Sequence, residues 1–150
     1  SGDVQVMSAG TGITHSEFNA SQELDVKVLQ IWLFPNKKNV TPRYDQLAIR
    51  DLQVQNEFCQ ILSPNHHDQG VWIHQNSWFS MGDFSDKKTS EYKLKAINNG
   101  VYAFIIEGSA VIEGQKLEKR DGFGMWDMTS ISISAEKNSR ILLMEVPMQI

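Results

Sequence analysis

Asn98-Asn99-Gly100-Val101-Tyr102-Ala103-Phe104-Ile105-Ile106-Glu107-Gly108-Ser109-Ala110-Val111-Ile112-Glu113-Gly114 reads as turn, strand, turn, strand, turn. Residues 101–107 are a run of β-branched and aromatic side chains, and 110–112 are a shorter apolar run. The Asn-Gly and Glu-Gly pairs between them supply backbone that tolerates the left-handed region a tight turn needs. The same grammar extends in both directions. Further strands are predicted over 58–62, 70–75, 77–84, 89–97, 123–127, 131–135 and 141–146, with Arg120-Asp121-Gly122 as another turn. No segment longer than about ten residues shows a period of 3.6, so any helix is short. Many short strands with such punctuation predict an all-β double-sheet jelly roll or a small barrel.

Toward the amino end the strands thin out. Val4-Gln5-Val6-Met7 and residues 28–34 read as strands, Pro35 to Pro42 as a loop, 46–51 as ambiguous, and 51–57 as a polar linker. Residues 58–150 hold enough strands for a complete barrel, whereas residues 1–50 hold too few to close a sheet alone. The expected organisation is therefore a partial barrel over 1–50, a linker over 51–57 and a full barrel over 58–150. The chain opens on Ser1-Gly2 without Met, which reads as a cloning remnant or a cut end.

Composition narrows the class. A chain of 150 residues can bury a sizeable core, and 41% hydrophobic with 21% charged residues is ordinary for a soluble protein. The formal net charge of -4, with the lysines and arginines scattered in pairs, argues against direct nucleic-acid binding. No apolar run reaches membrane-span length and no signal peptide is visible. A single cysteine, Cys59, precludes an internal disulfide and suits the reducing cytoplasm, the expected location. Beside Phe58 and without a basic neighbour, Cys59 reads as a small buried hydrophobe. There is no glycine-rich phosphate loop and no Gly-x-Ser-x-Gly elbow.

The chemistry-bearing stretch is Gly10-Thr11-Gly12-Ile13-Thr14-His15-Ser16-Glu17. On an extended strand, positions i and i+2 share a face about 6–7 Å apart, so His15 and Glu17 could converge on one metal ion. The same residues after a glycine turn could equally be capping or surface groups. Met7 and Trp32 are candidates to line a cavity for a planar aromatic substrate, with plain core packing as the alternative. His66-His67 sit in a loop signal and face opposite ways if extended. His74, with no His or Glu at i±2, reads as a surface or hydrogen-bonded core histidine, Trp72 and Trp78 as packed between sheets, and Trp126 as a core aromatic beside the turn carboxylate Asp127.

From Gly2 through Asn19 the chain resembles the signature of pirins and pirin-like quercetin dioxygenases. Leu29-Gln30-Ile31-Trp32 and Thr41-Pro42-Arg43-Tyr44 continue the likeness. Asp121-Gly122-Phe123-Gly124-Met125-Trp126-Asp127 with Ser130-Ile131-Ser132-Ile133 resembles the C-terminal cupin of these bicupin proteins. The resemblance implies two cupin (double-stranded β-helix) barrels with one metal site in the first. That site would comprise two histidines of a His-x-His pair, plus a histidine and a glutamate that fall on His15 and Glu17. The His-x-His pair is expected upstream of Gly2. A divalent transition metal, iron first among the possibilities, and a flavonol such as quercetin are the implied cofactor and substrate. Glu17 would act as ligand, as base, or both. The full-length form is expected to be a metal-dependent dioxygenase, and this chain alone to be metal-free and inactive. The alternative is a redox-sensing, metal-binding regulator without catalysis. With their partner strands missing, residues 1–50 are expected to fold against the second barrel, to be disordered, or to pair with another copy through exposed strand edges.

Overall fold

The computed structural model describes residues 2–149. Twelve strands account for nearly all of its regular structure. They are β1 (Asp3–Ser8), β2 (Arg43–Ala48), β3 (Phe58–Ser63), β4 (Val71–Trp72), β5 (Trp78–Phe84), β6 (Lys88–Lys93), β7 (Asn99–Glu107), β8 (Ser109–Ile112), β9 (Gln115–Glu118), β10 (Gly122–Met125), β11 (Ser130–Ala135) and β12 (Ser139–Pro147). A 3-10 turn, Ile49–Asp51, follows β2. No helix among these residues is long and apolar enough to cross a membrane.

Ten strands, β3 to β12, form two stacked sheets. One has the order β10-β7-β12-β5-β3-β4 and the other β6-β11-β8-β9. Every pairing is antiparallel except the short β3–β4 contact. This is the jelly-roll architecture that the strand spacing predicts, closed into a cupin-type double sheet.

The period of two decides which side chains meet. On β12, Ile141, Leu143 and Glu145 face the space between the sheets, while Leu142 faces outward. The inner layer joins them to Val101, Ala103 and Ile105 of β7, Ala110 and Ile112 of β8, and Ile131, Ile133 and Ala135 of β11. Most of these are fully buried. The outer face of the larger sheet carries a second apolar cluster: Cys59, Ile61, Phe79, Met81 and Leu142, covered by Val4, Val6, Leu33 and Leu47. The β1–β2 pair is thus held as a separate two-stranded sheet, in register from Asp3↔Ala48 to Ser8↔Arg43, against the outside of the sandwich.

Several elements differ from the sequence expectation. Residues 28–34 form no strand and are exposed apart from Leu33. Their backbone finds no strand to pair with, and β propensity without a ladder partner leaves a chain extended but unassigned. The ambiguous 46–51 stretch resolves into the end of β2 and the 3-10 turn, so β2 begins just after the Pro35–Pro42 loop. β9 goes unpredicted because Gln115-Lys116-Leu117-Glu118 is polar. It forms because the Glu113-Gly114 turn, with φ of 48° and 79°, folds it back onto β8.

Candidate functional site

His15 and Glu17 lie beyond the end of β1, on irregular chain, and both are exposed. The expected strand-borne pair is therefore corrected: the strand stops at Ser8 because the backbone turns there. Gly12 N–H donates to the Ala9 carbonyl at 2.8 Å, and Gly10 and Gly12 take positive φ. Thr11 N–H donates to the Val40 carbonyl at 3.1 Å. A Cβ at Gly10 would fall 1.9 Å from that same carbonyl oxygen, so only glycine admits the approach. On the far side Asn19 closes its own turn, donating from Nδ2 to Leu24 O at 2.6 Å and accepting from Ser21 N–H at 3.1 Å. The histidine and the carboxylate thus lie on a loop that is tied to the Val40 carbonyl before them and followed by a local turn closed by Asn19.

The other candidates are placed apart from this pair. Met7 is half-buried on β1, and Trp32 is 84% exposed. Two clefts, of about 450 and 390 Å³, are lined by neither of them nor by His15 or Glu17. His66 and His67 are exposed, their rings tilted by 44° with centroids 3.8 Å apart, and His74 meets Trp72 edge-on at 4.8 Å. Among the described residues no group of three or more His, Cys, Asp or Glu is placed to hold a metal ion. Cys59 is buried, its thiol beside the Met81 carbonyl at 3.3 Å, and burial pushes its ionisation upward. Trp126 is exposed at the end of β10 rather than packed in the core.

Two arrangements escaped the sequence reading. Arg43 lies over the Trp72 ring at 3.9 Å, donates from Nη1 to the Trp72 carbonyl at 2.6 Å and pairs with Asp45 at 3.2 Å. It thereby fastens β2 to β4, and with β2 the loop that holds Thr11. Deeper in, Glu145 is fully buried yet accepts hydrogen bonds from Tyr92 O–H at 2.9 Å, Lys95 N–H at 2.8 Å, Ala96 N–H at 3.0 Å and Asn99 Nδ2 at 2.8 Å. The alternation of β12 marks position 145 as inward-facing, and a carboxylate there demands such partners.

Comparison with known proteins extends the picture beyond the fold. The pirin profile matches residues 1–33, and the quercetinase C-terminal cupin domain matches residues 60–146, more than half of the chain. The chain belongs to the pirin family. Quercetin 2,3-dioxygenase of Escherichia coli (strain K12) is 34% identical over 146 residues, which cover 97% of this pirin-family chain and 62% of that protein. A pirin-like protein of Caulobacter vibrioides is 27% identical over 96% of the chain and 62% of its own length. The crystal structure of the bacterial pirin YhhW from Escherichia coli in complex with nickel(II) superposes with a TM-score of 0.84 at 32% identity, again over 97% of this chain and 62% of that one. The chain therefore spans about 62% of the length of these relatives.

Proposed function

We propose that the full-length protein is a metal-dependent dioxygenase of quercetin-like flavonols, and that His15 and Glu17 are two of the groups that hold its metal. The observation that carries this reading is the continuous likeness, over 97% of the chain, to a quercetin 2,3-dioxygenase and to a pirin that binds nickel(II). The sequence signature around His15 and Glu17 lies within the matched pirin segment.

Within residues 2–149 the pair does not make a metal site by itself. Two donors on an exposed loop replace little of an ion's hydration, and no third donor stands near them among the described residues. A divalent metal such as iron would be held only when further donors, imidazoles by the family resemblance, join the same shell. These 150 residues alone are accordingly expected to bind metal weakly and to turn over no flavonol. The chain's own contribution is positional. The Val40 carbonyl and the Arg43–Trp72 clasp hold the start of the His15 loop against the sandwich, and Glu17 supplies the one carboxylate of the set, suited to act as ligand or base. Met7 and Trp32 are the apolar groups proposed to meet the flavonol rings.

The test is loss of quercetin absorbance under oxygen by the iron- or nickel-loaded full-length protein, with metal content measured alongside. His15→Ala and Glu17→Ala are each expected to weaken metal affinity by more than about tenfold, the lower end of the cost of losing even an outer-shell partner, and to abolish turnover. Metal bound without any quercetin loss would overturn the catalytic part and favour a non-catalytic metal-binding role. Unchanged metal content in both variants would remove the pair from the site.

A further inference from the structure

The larger cleft lies far from the His15 loop in the chain and belongs wholly to the sandwich. It opens between two facing edges. β6 pairs only with β11, and the first residues of β3 pair only with β5, so the two sheets part along this seam. Phe58 forms its apolar wall, packed edge-on against Phe84 at 5.2 Å. Ser80 and Tyr92 form its floor, both more than nine-tenths buried. Its volume of about 450 Å³ falls in the range of small-molecule sites.

The polar groups have defined directions. Tyr92 spends its one proton on buried Glu145, at 2.9 Å, which leaves the phenolic oxygen as an acceptor. The Ser80 hydroxyl lines the same floor beside it. The floor therefore offers hydroxyl oxygens whose complement is an O–H donor. At the rim, Lys88 is paired with Glu57 at 3.7 Å and Lys93 with Glu91 at 4.0 Å, while Lys95 has no carboxylate within 4 Å among the described residues. Lys95 is held in place by its own backbone, whose N–H donates to Glu145. The complement of its ammonium is an anion.

Independently of the dioxygenase reading, we propose that this cleft is a second small-molecule site, taking a ring compound that carries a hydroxyl group at one end and a carboxylate at the other. The ring rests against Phe58, the hydroxyl donates into the Ser80–Tyr92 floor, and the carboxylate meets Lys95. Glu145 does not touch the ligand; it orients Tyr92 and fixes the segment bearing Lys95, so it is a positioning residue.

The probe is 4-hydroxybenzoate, titrated into the chain and followed by amide NMR, with benzoate and phenol as probes that each lack one group. Saturable shifts confined to residues 58–60, 80 and 88–96 are expected for 4-hydroxybenzoate. Benzoate and phenol should each bind about tenfold more weakly, the effect of losing one charge-assisted or floor hydrogen bond. Lys95→Gln should erase the advantage over phenol, and Ser80→Ala the advantage over benzoate. Shifts that never saturate, that map elsewhere, or that are equal for all three probes would overturn the proposal. So would affinities left untouched by both substitutions. Should Ser80→Ala lower the melting temperature, the probe series and Lys95→Gln decide the matter without it.

Discussion

The strand Asn99–Glu107 and the segment 28–34 carry the same kinds of side chain, β-branched and aromatic, yet they live in opposite surroundings. The first is paired on both edges, by β12 and β10, and its inward residues Val101, Ala103 and Ile105 are closed off between two sheets. In the second, Val28, Trp32 and Phe34 stand in solvent, and none of its residues is paired in a sheet. Only Leu33 reaches the cluster on the outside of the sandwich. The contrast teaches that strand formation is earned through partners. Intrinsic preference is worth little until a neighbouring strand accepts its hydrogen bonds and a facing layer takes its side chains.

The sharpest way to break this comparison is to make the same kind of cut in both regions. Ile105→Ala removes methylene groups from a site with no solvent access and is expected to destabilise the protein by about 2–5 kcal/mol in denaturant unfolding. A loss below about 1 kcal/mol would mean that the inner layer is not packed as a core.

The buried carboxylate sharpens the comparison from another side, because it ties the stability of the sandwich to pH. Burial, then the charge and hydrogen bond of Glu145, hold the Tyr92 phenol well above its ordinary ionisation range. A group whose ionisation is raised in the folded state contributes fully below its unfolded value, about 10 for tyrosine, and loses that contribution as pH climbs past it. Unfolding free energy should therefore decline as pH rises above about 10, and Tyr92→Phe should flatten that decline while lowering stability at neutral pH by about 1–3 kcal/mol for the lost bond to a buried charge. An alkaline slope unchanged by Tyr92→Phe would assign it to other groups.

The first of these tests concerns the part of the molecule that could be read from the amino acids in advance. Turn signals such as Glu113-Gly114, with period-two alternation on either side, are local and mark the strands; β8–β9 pairs as a local hairpin, whereas β12–β7, β12–β5 and β11–β6 join strands distant in the sequence, and Asn99 and Gly100, read as turn, fall inside β7. Glu145, by contrast, looks like any acidic residue near a chain end. Only the register of β12 and the approach of Lys95, Ala96 and Asn99 from about fifty positions away reveal it as a buried acceptor. The candidate site was legible in its residues and not in its geometry. Gly10 and Gly12 announce a turn, and that turn ends β1 before His15, so spacing suited to a strand is spent on a loop. The Arg43–Trp72 clasp joins groups 29 positions apart, and no periodicity carries such a contact.

The gentlest test belongs to the unpaired segment. Trp32→Ala deletes a large side chain, but one that is 84% exposed and makes no contribution to either apolar cluster. Its effect on unfolding free energy should stay within about 0.5 kcal/mol, although an indole buried elsewhere would cost several times more. The same reasoning predicts where a protease enters. Cleavage requires the backbone to open, and between residues 13 and 35 there is no ladder to break, whereas cutting within β3 to β12 requires the sandwich to unfold. Brief digestion should therefore nick the chain between residues 13 and 35 and leave a resistant fragment starting near β2 or β3. A first cut inside the sandwich, or a Trp32→Ala penalty comparable to that of Ile105→Ala, would show that segment 28–34 has partners and that the two regions are alike after all.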